Sequence, residues 1–286
     1  MSRPNLHLGT KVHLKWDYFS TICRFYYHSY SFFQLLCKLN QKYRMNLIID
    51  IGNTSAKLAV FSPEGMKEMV RCSNQSLDVL TTLCDQFPIK RCLVSTVITL
   101  NDRIRKQLED LPFPVKMFTH EMPIPIENHY ETPHTLGVDR LAAVVEAHSA
   151  QPDHPKLVID AGTCITIDFI DEQGRYKGGN ISPGIDMRLD ALHTYTSKLP
   201  KIDREGEIPP LGKNTETAIR SGVIRGIEHE INGYIQQFQK IYPSLLVFLT
   251  GRIEISFETK LKSVIFADSF LVLKGLNRIL EYNEAI

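Results

Sequence analysis

A short apolar segment followed by an acidic residue and a glycine opens the regular hydrophobic pattern of the chain. Leu47–Ile49 carries β-branched residues and is too short for a typical helix, which predicts a buried strand. Asp50 and Gly52 follow it, Lys57 adds a positive charge, and Leu58–Phe61 resumes an apolar strand. The pattern predicts a hairpin that presents N–H groups, a hydroxyl and an ammonium to a phosphate, beside a carboxylate that holds Mg²⁺ through water. For this segment alone, an ordinary hairpin with a solvated lysine is the alternative.

The same pattern occurs a second time. Leu157–Asp168 reads L-V-I-D-A-G-T-C-I-T-I-D, so that Asp160 and Gly162 repeat the positions of Asp50 and Gly52. Two apolar strands that end in Asp-x-Gly indicate duplicated halves that face one another. Two phosphate-binding hairpins across a cleft are the arrangement of the actin-like ATPase superfamily. The predicted fold is therefore α/β, with two RNase H-like (actin-like ATPase) domains and a cleft between them.

The first half is predicted to span residues 45–152. Helical spacing over Ser76–Phe87 and Asp102–Leu111, with a buried strand at Cys92–Val97, gives a β-β-(β)-α-β-α order that suits an RNase H-like domain. The proline-rich stretch Glu121–Thr135 predicts a functional loop over the cleft. Residues 151–155 then provide the linker.

The second half is predicted to span residues 153–286. Its apolar pattern predicts a hairpin, a glycine-rich bend, two helices, a strand and a closing helix. These are Cys164–Ile170 with Tyr176–Ile181, then Lys177–Gly184, then Ile185–Thr194, then a long helix capped by Asn214 or Thr215, then Leu245–Leu249 and Ala267–Tyr282.

Residues 1–44 differ from the rest of the chain. They hold seven Lys and Arg residues against one acidic residue, Asp17, and they are rich in aromatic side chains. Arg24 and His28 interrupt the apolar part, which is too broken for a spanning helix. We expect Met45 to be the true start and the atypical basic, aromatic extension to come from an over-extended reading frame. A segment that docks on a membrane surface is the alternative.

Overall composition narrows the classes of function. Hydrophobic residues make up 43% of the chain and charged residues 23%, as in globular proteins. The net charge of +1 gives no global case for nucleic acid or an acidic membrane surface, so neither is an expected partner. Six cysteines without metal-like spacing are interpreted as reduced thiols of a cytosolic protein.

A polar motif lies between the loop and the next helical pattern. Gly137 permits a turn, and Asp139 falls in the cap or first turn of a helix, where free N–H groups and the helix dipole stabilise a carboxylate. Arg140 offers a planar fork to a carboxylate or amide oxygen. From this motif alone, a helix cap with an adjacent ion pair is the alternative.

Taken together, these motifs make the chain from Met45 to Asn283 resemble the type III pantothenate kinases. Asp50–Lys57 resembles their D-x-G-N-T-x-x-K motif for ATP phosphate, and Gly137–Arg140 resembles their G-x-D-R substrate motif, with Tyr130 upstream. Asp160–Thr163 is similar to their second phosphate motif. The bend Gly178–Gly184, the Leu199-Pro200 pair and Gly212-x-Asn214-Thr215 also match.

The resemblance implies a cytoplasmic homodimer that phosphorylates pantothenate with ATP to 4′-phosphopantothenate, the first step of coenzyme A synthesis. It implies Asp139 as the catalytic base, Asp160 as a ligand of a required monovalent cation (K⁺ or NH₄⁺), and Asp50 as a ligand of Mg²⁺ through water. The implied ATP and phosphate residues are Asp50, Ile51, Gly52, Asn53, Thr54, Ser55, Ala56, Lys57, Gly162 and Thr163. The implied pantothenate residues are Tyr130, Gly137, Val138, Asp139, Arg140 and Thr215.

The chemistry agrees with that assignment. Phosphoryl transfer asks mainly for positioning and charge neutralisation, since its transition state is loose. Bidentate binding of the pantothenate carboxylate by Arg140 would explain selection for an acid. In the family, the substrate site is completed across the dimer interface.

One segment departs from the family pattern. Members usually continue Thr-Gly with Gly-Asp near the adenosine, whereas here Thr250-Gly251 is followed by Arg252-Ile253. Arg252 could obstruct the adenine or stack on it. Two other functions therefore stay open: a non-enzymatic relative that binds nucleotide or pantothenate and regulates a protein partner, and a kinase for another small hydroxylated acid or sugar.

Overall fold

The computed structural model describes residues 45–251 and 265–285. The expectations about residues 1–44 and about Arg252-Ile253 lie outside the described residues.

The first half forms a five-stranded sheet with two helices. Strands β1–β3 form an antiparallel meander, and β4 and β5 run parallel to β1, in the order β3-β2-β1-β4-β5. Its strands are β1 Met45–Ile51, β2 Ala56–Ser62, β3 Gly65–Cys72, β4 Ile89–Thr96 and β5 Val115–Met117. Its helices are α1 Leu80–Gln86 and α2 Asp102–Glu109.

A second, six-stranded sheet repeats the first. Its order is β11-β10-β7-β8-β9-β6, in which β9-β8-β7-β10-β11 reproduces the connectivity of β3-β2-β1-β4-β5. Its strands are β6 Glu127–Asn128, β7 Lys156–Ala161, β8 Cys164–Ile170, β9 Arg175–Pro183, β10 Leu246–Gly251 and β11 Ile265–Ala267. The remaining helices are α3 Val138–Ala150, α4 Ile185–Thr194, α5 Thr215–Ile241 and α6 Leu271–Ala285. The predicted duplication and the α/β fold are confirmed.

Strand alternation places helices on both faces of each sheet. In β1, Leu47 and Ile49 pack with α1 and α2, while Ile48 between them packs with α3 and α6. In β7, Leu157 and Ile159 pack with α4 and α5, while Val158 contacts the same α3 and α6 core as Ile48. Helices α3 and α6 therefore lie between the two sheets and form their shared core.

Two predicted helices begin later than expected. Helix α1 begins at Leu80 rather than Ser76, and the Leu77 N–H before it donates to the Gln107 side chain at 3.0 Å. Ala267 belongs to strand β11, and the closing helix begins after Asp268, whose Oδ1 accepts the Phe270 N–H at 2.9 Å.

The proline-rich loop also contributes regular structure. Glu127–Asn128 pairs with β9 at the edge of the second sheet, and Pro133–Thr135 forms a 3-10 turn. The predicted cap at Asn214 is confirmed, since its side chain accepts the Thr217 N–H at 2.9 Å. Among the helices of residues 45–251 and 265–285, none has the length and apolar character that crossing a membrane requires.

Candidate active site

Strand alternation points both acidic residues of the repeated motif towards the space between the sheets. Asp50 lies two residues after Ile48 and Asp160 two residues after Val158, and both of those apolar residues belong to the shared core. Since successive residues alternate faces, Asp50 and Asp160 share the inner face of their sheets. Both also stand at the carboxyl end of a central strand, where the apolar core stops.

The tips of the two hairpins meet across this space. Thr54 Oγ1 lies 3.2 Å from Thr163 Oγ1, a hydrogen bond in which either hydroxyl can donate. Both threonines are exposed. Two hydroxyls from opposite halves of the molecule are therefore presented at one point, as binding of one polyphosphate chain requires.

A third carboxylate joins the cluster from α3. Asp139 lies in the first turn of that helix, and its Oδ1 accepts the N–H of Arg140 at 2.9 Å. Its charge raises the pKa of both Asp50 and Asp160, which places it in the same electrostatic neighbourhood. The site thus combines side chains from β1, β7 and the N-terminus of α3.

Burial dominates the electrostatics of the site. It raises the pKa of Asp50 from 3.8 to about 6 and that of Asp160 likewise to about 6, while the positive charge of Lys57 opposes both shifts. Burial also raises the pKa of Asp139, against the lowering effect of hydrogen bonds from backbone N–H groups. Lys57 Nζ lies 3.9 Å from Asp50 Oδ2. Asp50 and Asp160 therefore share the charge of one lysine, whereas Arg140 supplies the positive charge that lowers the pKa of Asp139.

Ionisation of these buried carboxyl groups costs folding free energy. The pKa values of Asp50 and Asp160 are higher in the folded protein than in the unfolded chain, so stability falls as pH rises from about 4 to about 6. A bound cation would offset this cost. The described residues contain no group of three His, Cys, Asp or Glu side chains able to hold a metal ion by themselves.

The carboxylates of the site suit a cation that is also bound by the phosphates of a nucleotide. Mg²⁺ commonly keeps several waters and binds through one or two carboxylates together with substrate phosphates. Asp50, 9% exposed, supplies a hard oxygen ligand of this kind beside the phosphate hairpin. The residues therefore fit an ion that arrives with ATP.

Different contacts support the two hairpins. In the first, the Asn74 amide donates to the carbonyls of Gly52 (3.1 Å) and Asn53 (2.7 Å), and the Gly52 N–H donates to Ser55 O at 3.1 Å. Sequence reasoning missed Asn74, because its partners lie more than twenty residues away. The carbonyls are thereby directed away from the tip.

In the second hairpin, backbone packs against backbone. The Gly184 N–H donates to Thr163 O at 3.1 Å, and a Cβ at Gly184 would lie 2.5 Å from the carbonyl oxygens of both Gly162 and Thr163. Only glycine permits this approach, as the glycine-rich bend predicted.

Arg140 is less free than expected. Its Nε donates to Asp168 Oδ1 at 3.0 Å and its Nη2 to the same oxygen at 2.6 Å, and both side chains are buried. Its Cζ lies 6.0 Å from the centre of the Tyr130 ring. This corrects the expectation of an open fork, because Nη1 alone stands outside the ion pair with Asp168.

Thr215 lies elsewhere. It lines a groove of about 830 Å³ between α4 and α5, together with Leu192, Tyr195 and Val223. None of the residues around the carboxylate cluster lines this groove. The structure therefore brings together the predicted phosphate and base residues with Tyr130 and Arg140, but not Thr215.

Comparisons with known proteins follow the same motifs. The sequence profile of type III pantothenate kinases matches residues 46–237. The type III pantothenate kinase of Phocaeicola vulgatus is 61% identical over 242 residues, which are 85% of this chain and all of the relative. That of Bacteroides fragilis (strain ATCC 25285) is 59% identical over 239 residues, which are 84% of this chain and 98% of the relative.

The chain belongs to the type III pantothenate kinase family. The kinase predicted from the motifs is therefore confirmed at the level of the family, whose members phosphorylate pantothenate in coenzyme A biosynthesis and use ATP with a divalent metal. A solved structure of a conserved Baf family protein from Campylobacter jejuni has 20% identity and a TM-score of 0.50, covering 84% of this chain and all of that one, which supports the fold.

Proposed function

We propose that this chain transfers the γ-phosphoryl group of ATP to the primary hydroxyl of pantothenate, with Asp139 as the base that takes the hydroxyl proton. The meeting of the two hairpin tips, Thr54 with Thr163, beside three carboxylates is the observation that carries the proposal. A single triphosphate chain can then contact both halves of the molecule while Asp139 faces its end.

Each residue of the cluster has a separate role in this proposal. Asn53, Thr54, Lys57 and Thr163 bind phosphate oxygens, and the ammonium of Lys57 offsets the charge that builds on them. Asp50 orients the divalent ion that accompanies ATP, which supplies charge neutralisation when bound. Asp139 accepts the proton late, because an alcohol is a very weak acid. Its raised pKa makes it a better proton acceptor than an exposed aspartate.

Asp160 is proposed as the ligand of a monovalent cation, K⁺ or NH₄⁺. Desolvation and, after it, the charges of Asp139 and Asp168 raise the pKa of this half-buried carboxyl group, so a nearby positive charge stabilises its ionised form. Turnover is expected to be high in K⁺ or NH₄⁺ and at least about tenfold lower in Na⁺ at equal ionic strength. Equal rates in all three salts would remove this role from Asp160.

A homodimer is proposed to complete the substrate site. Thr215, implied in pantothenate binding, lines the groove between α4 and α5 rather than the cleft. The nearby Tyr195 is 85% exposed, an apolar surface that a second copy would cover. Light scattering should give twice the 32.7 kDa mass of the chain; a monomer at micromolar concentration would contradict this assembly. Cytoplasmic localisation is part of the same proposal.

The test of the base is Asp139→Asn in an assay that couples ADP formation to a spectroscopic signal, with pantothenate, ATP and Mg²⁺. We expect kcat to fall by about 10²- to 10⁴-fold with little change in the Kd of ATP, because only proton transfer is removed. Glu146→Gln is the matched control: it changes another half-buried carboxylate of α3, paired with Arg278, and should keep nearly full activity. Undiminished turnover in Asp139→Asn would remove Asp139 from its role, and no turnover in the wild type would favour a non-enzymatic relative.

A further inference from the structure

Asp168 is a buried residue of β8 that contacts α3 through Arg140 and that the sequence motifs do not explain. It is 1% exposed, and its Oδ1 accepts hydrogen bonds from Arg140 Nε, Arg140 Nη2 and the Tyr176 hydroxyl at 3.0, 2.6 and 2.6 Å. Its Oδ2 accepts a further bond from Arg140 Nε at 3.2 Å. A buried carboxylate with this many donors fixes the plane of the guanidinium.

The neighbouring strand leaves room for this carboxylate. Gly179 on β9 is the register partner of Asp168, and a Cβ there would lie 2.5 Å from Asp168 Oδ1 and 2.2 Å from Ile167 O. A glycine is therefore required opposite Asp168. The second glycine of the Gly178-Gly179 pair thus makes room for the Asp168 carboxylate, in addition to its place in the bend of the chain.

The ion pair determines which part of Arg140 can meet a ligand. Nε and Nη2 both donate to Asp168. Nη2 also donates to the Tyr176 hydroxyl, at 3.2 Å. Nη1 lies outside these four contacts, on a guanidinium whose Cζ is 6.0 Å from the centre of the Tyr130 ring. Arg140 also follows Asp139 directly, so its anchorage to β8 restrains the first turn of α3.

We propose that Asp168 is a positioning residue, which holds Arg140 so that Nη1 is directed at the carboxylate of the acid substrate. The inference rests on the proposed function, in which Arg140 binds that carboxylate. Asp168 itself touches no substrate. It sets the preference for an acid over a neutral analogue by orienting the guanidinium of Arg140.

The test compares Asp168→Asn with the wild type on two compounds, pantothenate and its alcohol analogue, in which a hydroxymethyl group replaces the carboxylate. We expect kcat/KM for pantothenate to fall by about 10- to 100-fold, mainly through KM, because a misdirected guanidinium loses its charge-assisted bond. The value for the alcohol should change by less than about threefold. The ratio of the two values is therefore expected to fall at least about tenfold.

Asp171→Asn is the matched control for loss of a buried aspartate. Asp171 lies three residues further along, is 5% exposed and pairs with Arg175 and Lys177 away from Arg140. It should lower thermal stability without changing the acid-to-alcohol ratio. A purely structural role for Asp168 would make both variants alike.

Tyr176→Phe extends the test to a protein with its ion pair intact. It removes the hydrogen bond that the Tyr176 hydroxyl donates to Asp168 and the one that it accepts from Arg140 Nη2, and it should lower the same ratio by about two- to fivefold, even where Asp168→Asn does not fold. An unchanged ratio in Tyr176→Phe, or equal losses for acid and alcohol in Asp168→Asn, would overturn the inference while leaving the kinase activity in place. A wild type that does not phosphorylate pantothenate would instead overturn the proposed function and, with it, this role.

Discussion

The two hairpins occupy equivalent positions in the duplicated sheets but carry different side chains. Asp50 is paired in register with Lys57 on β2 and Ser95 on β4. Asp160 has the corresponding partners Thr166 on β8 and Thr250 on β10. The carboxylate and the flanking hydroxyl are thus common to both halves, whereas the ammonium belongs to the first half alone.

This difference indicates that the two halves of the site have different electrostatic roles. Lys57 lowers the pKa of both Asp50 and Asp160, so a single cation from the first half serves the carboxylates of both. The second half has a neutral hydroxyl, Thr166, at that place. The duplication thus preserves the strand pairing, while the side chains beside the two carboxylates differ.

The two hairpins are also held in place by different kinds of contact. A side chain, Asn74, holds the carbonyls of the first hairpin, and the backbone at Gly184 packs against those of the second. Because a side-chain contact can be lost without moving the chain while a backbone contact cannot, the second hairpin should be the more sensitive to substitution of its support.

Among substitutions that test the comparison of the two hairpins, Gly184→Ala is expected to have the largest effect. The added methyl group would lie 2.5 Å from two carbonyl oxygens and must displace the second hairpin, although φ of −72° is open to alanine. We expect kcat/KM to fall by about 100-fold, as for a displacement of about 1 Å in a catalytic site. Gly233→Ala, in an exposed part of α5 with no atom within 4 Å, is the control and should keep full activity. An active Gly184→Ala protein would contradict the claim that this close approach fixes the hairpin.

Lys57→Met should have the next largest effect. Loss of one charge-assisted phosphate contact raises the KM for ATP by about 10- to 100-fold. It also removes the charge that lowers the pKa of Asp50 and Asp160, so the acidic limb of the pH–rate profile should move from about pH 6 to higher pH. The profile is measured as kcat/KM from pH 5 to 9. A limb that stays in place would mean that Lys57 does not act on the two carboxylates.

Asn74→Ala should have the smallest effect. Two hydrogen bonds to an exposed hairpin are lost, which predicts a three- to tenfold rise in the KM for ATP (about 1 kcal/mol) and little change in kcat. Gln75→Ala, which loses a bond to Asn74 but none to the hairpin, serves as its control. A loss as large as that of Gly184→Ala would remove the distinction between the two kinds of support.

Local patterns were sufficient to predict the duplicated strands and the long helix. Leu47–Ile49, Leu157–Ile159 and the Ile face of α5 are dense in buried apolar residues, so their periodicity is strong. The edge strands β6 and β11 have only two and three residues, so the alternation of apolar and polar positions that predicts a strand cannot be recognised in them. Asn214 was predictable because its cap is local.

Tertiary contacts explain what sequence reasoning did not find in the site. Asp168 lies 28 residues from Arg140, and a helix and a strand must fold together before the ion pair exists. The fork of Arg140 therefore looked free in the sequence. Ser95 likewise gave no signal in the sequence. The register of β1 with β4 places it beside Asp50, and its buried hydroxyl has no hydrogen-bond partner among the residues that the structure describes.

The claim that both hairpins bind one triphosphate is tested most directly by a double-mutant cycle across the cleft. Mg²⁺-ATP affinity is measured by titration calorimetry for the wild type, Thr54→Val, Thr163→Val and the double variant. Because the two hydroxyls are 3.2 Å apart, the account predicts weaker binding in each single variant and a coupling free energy of at least about 0.5 kcal/mol. Strictly additive losses, or unchanged affinity in either single variant, would contradict it.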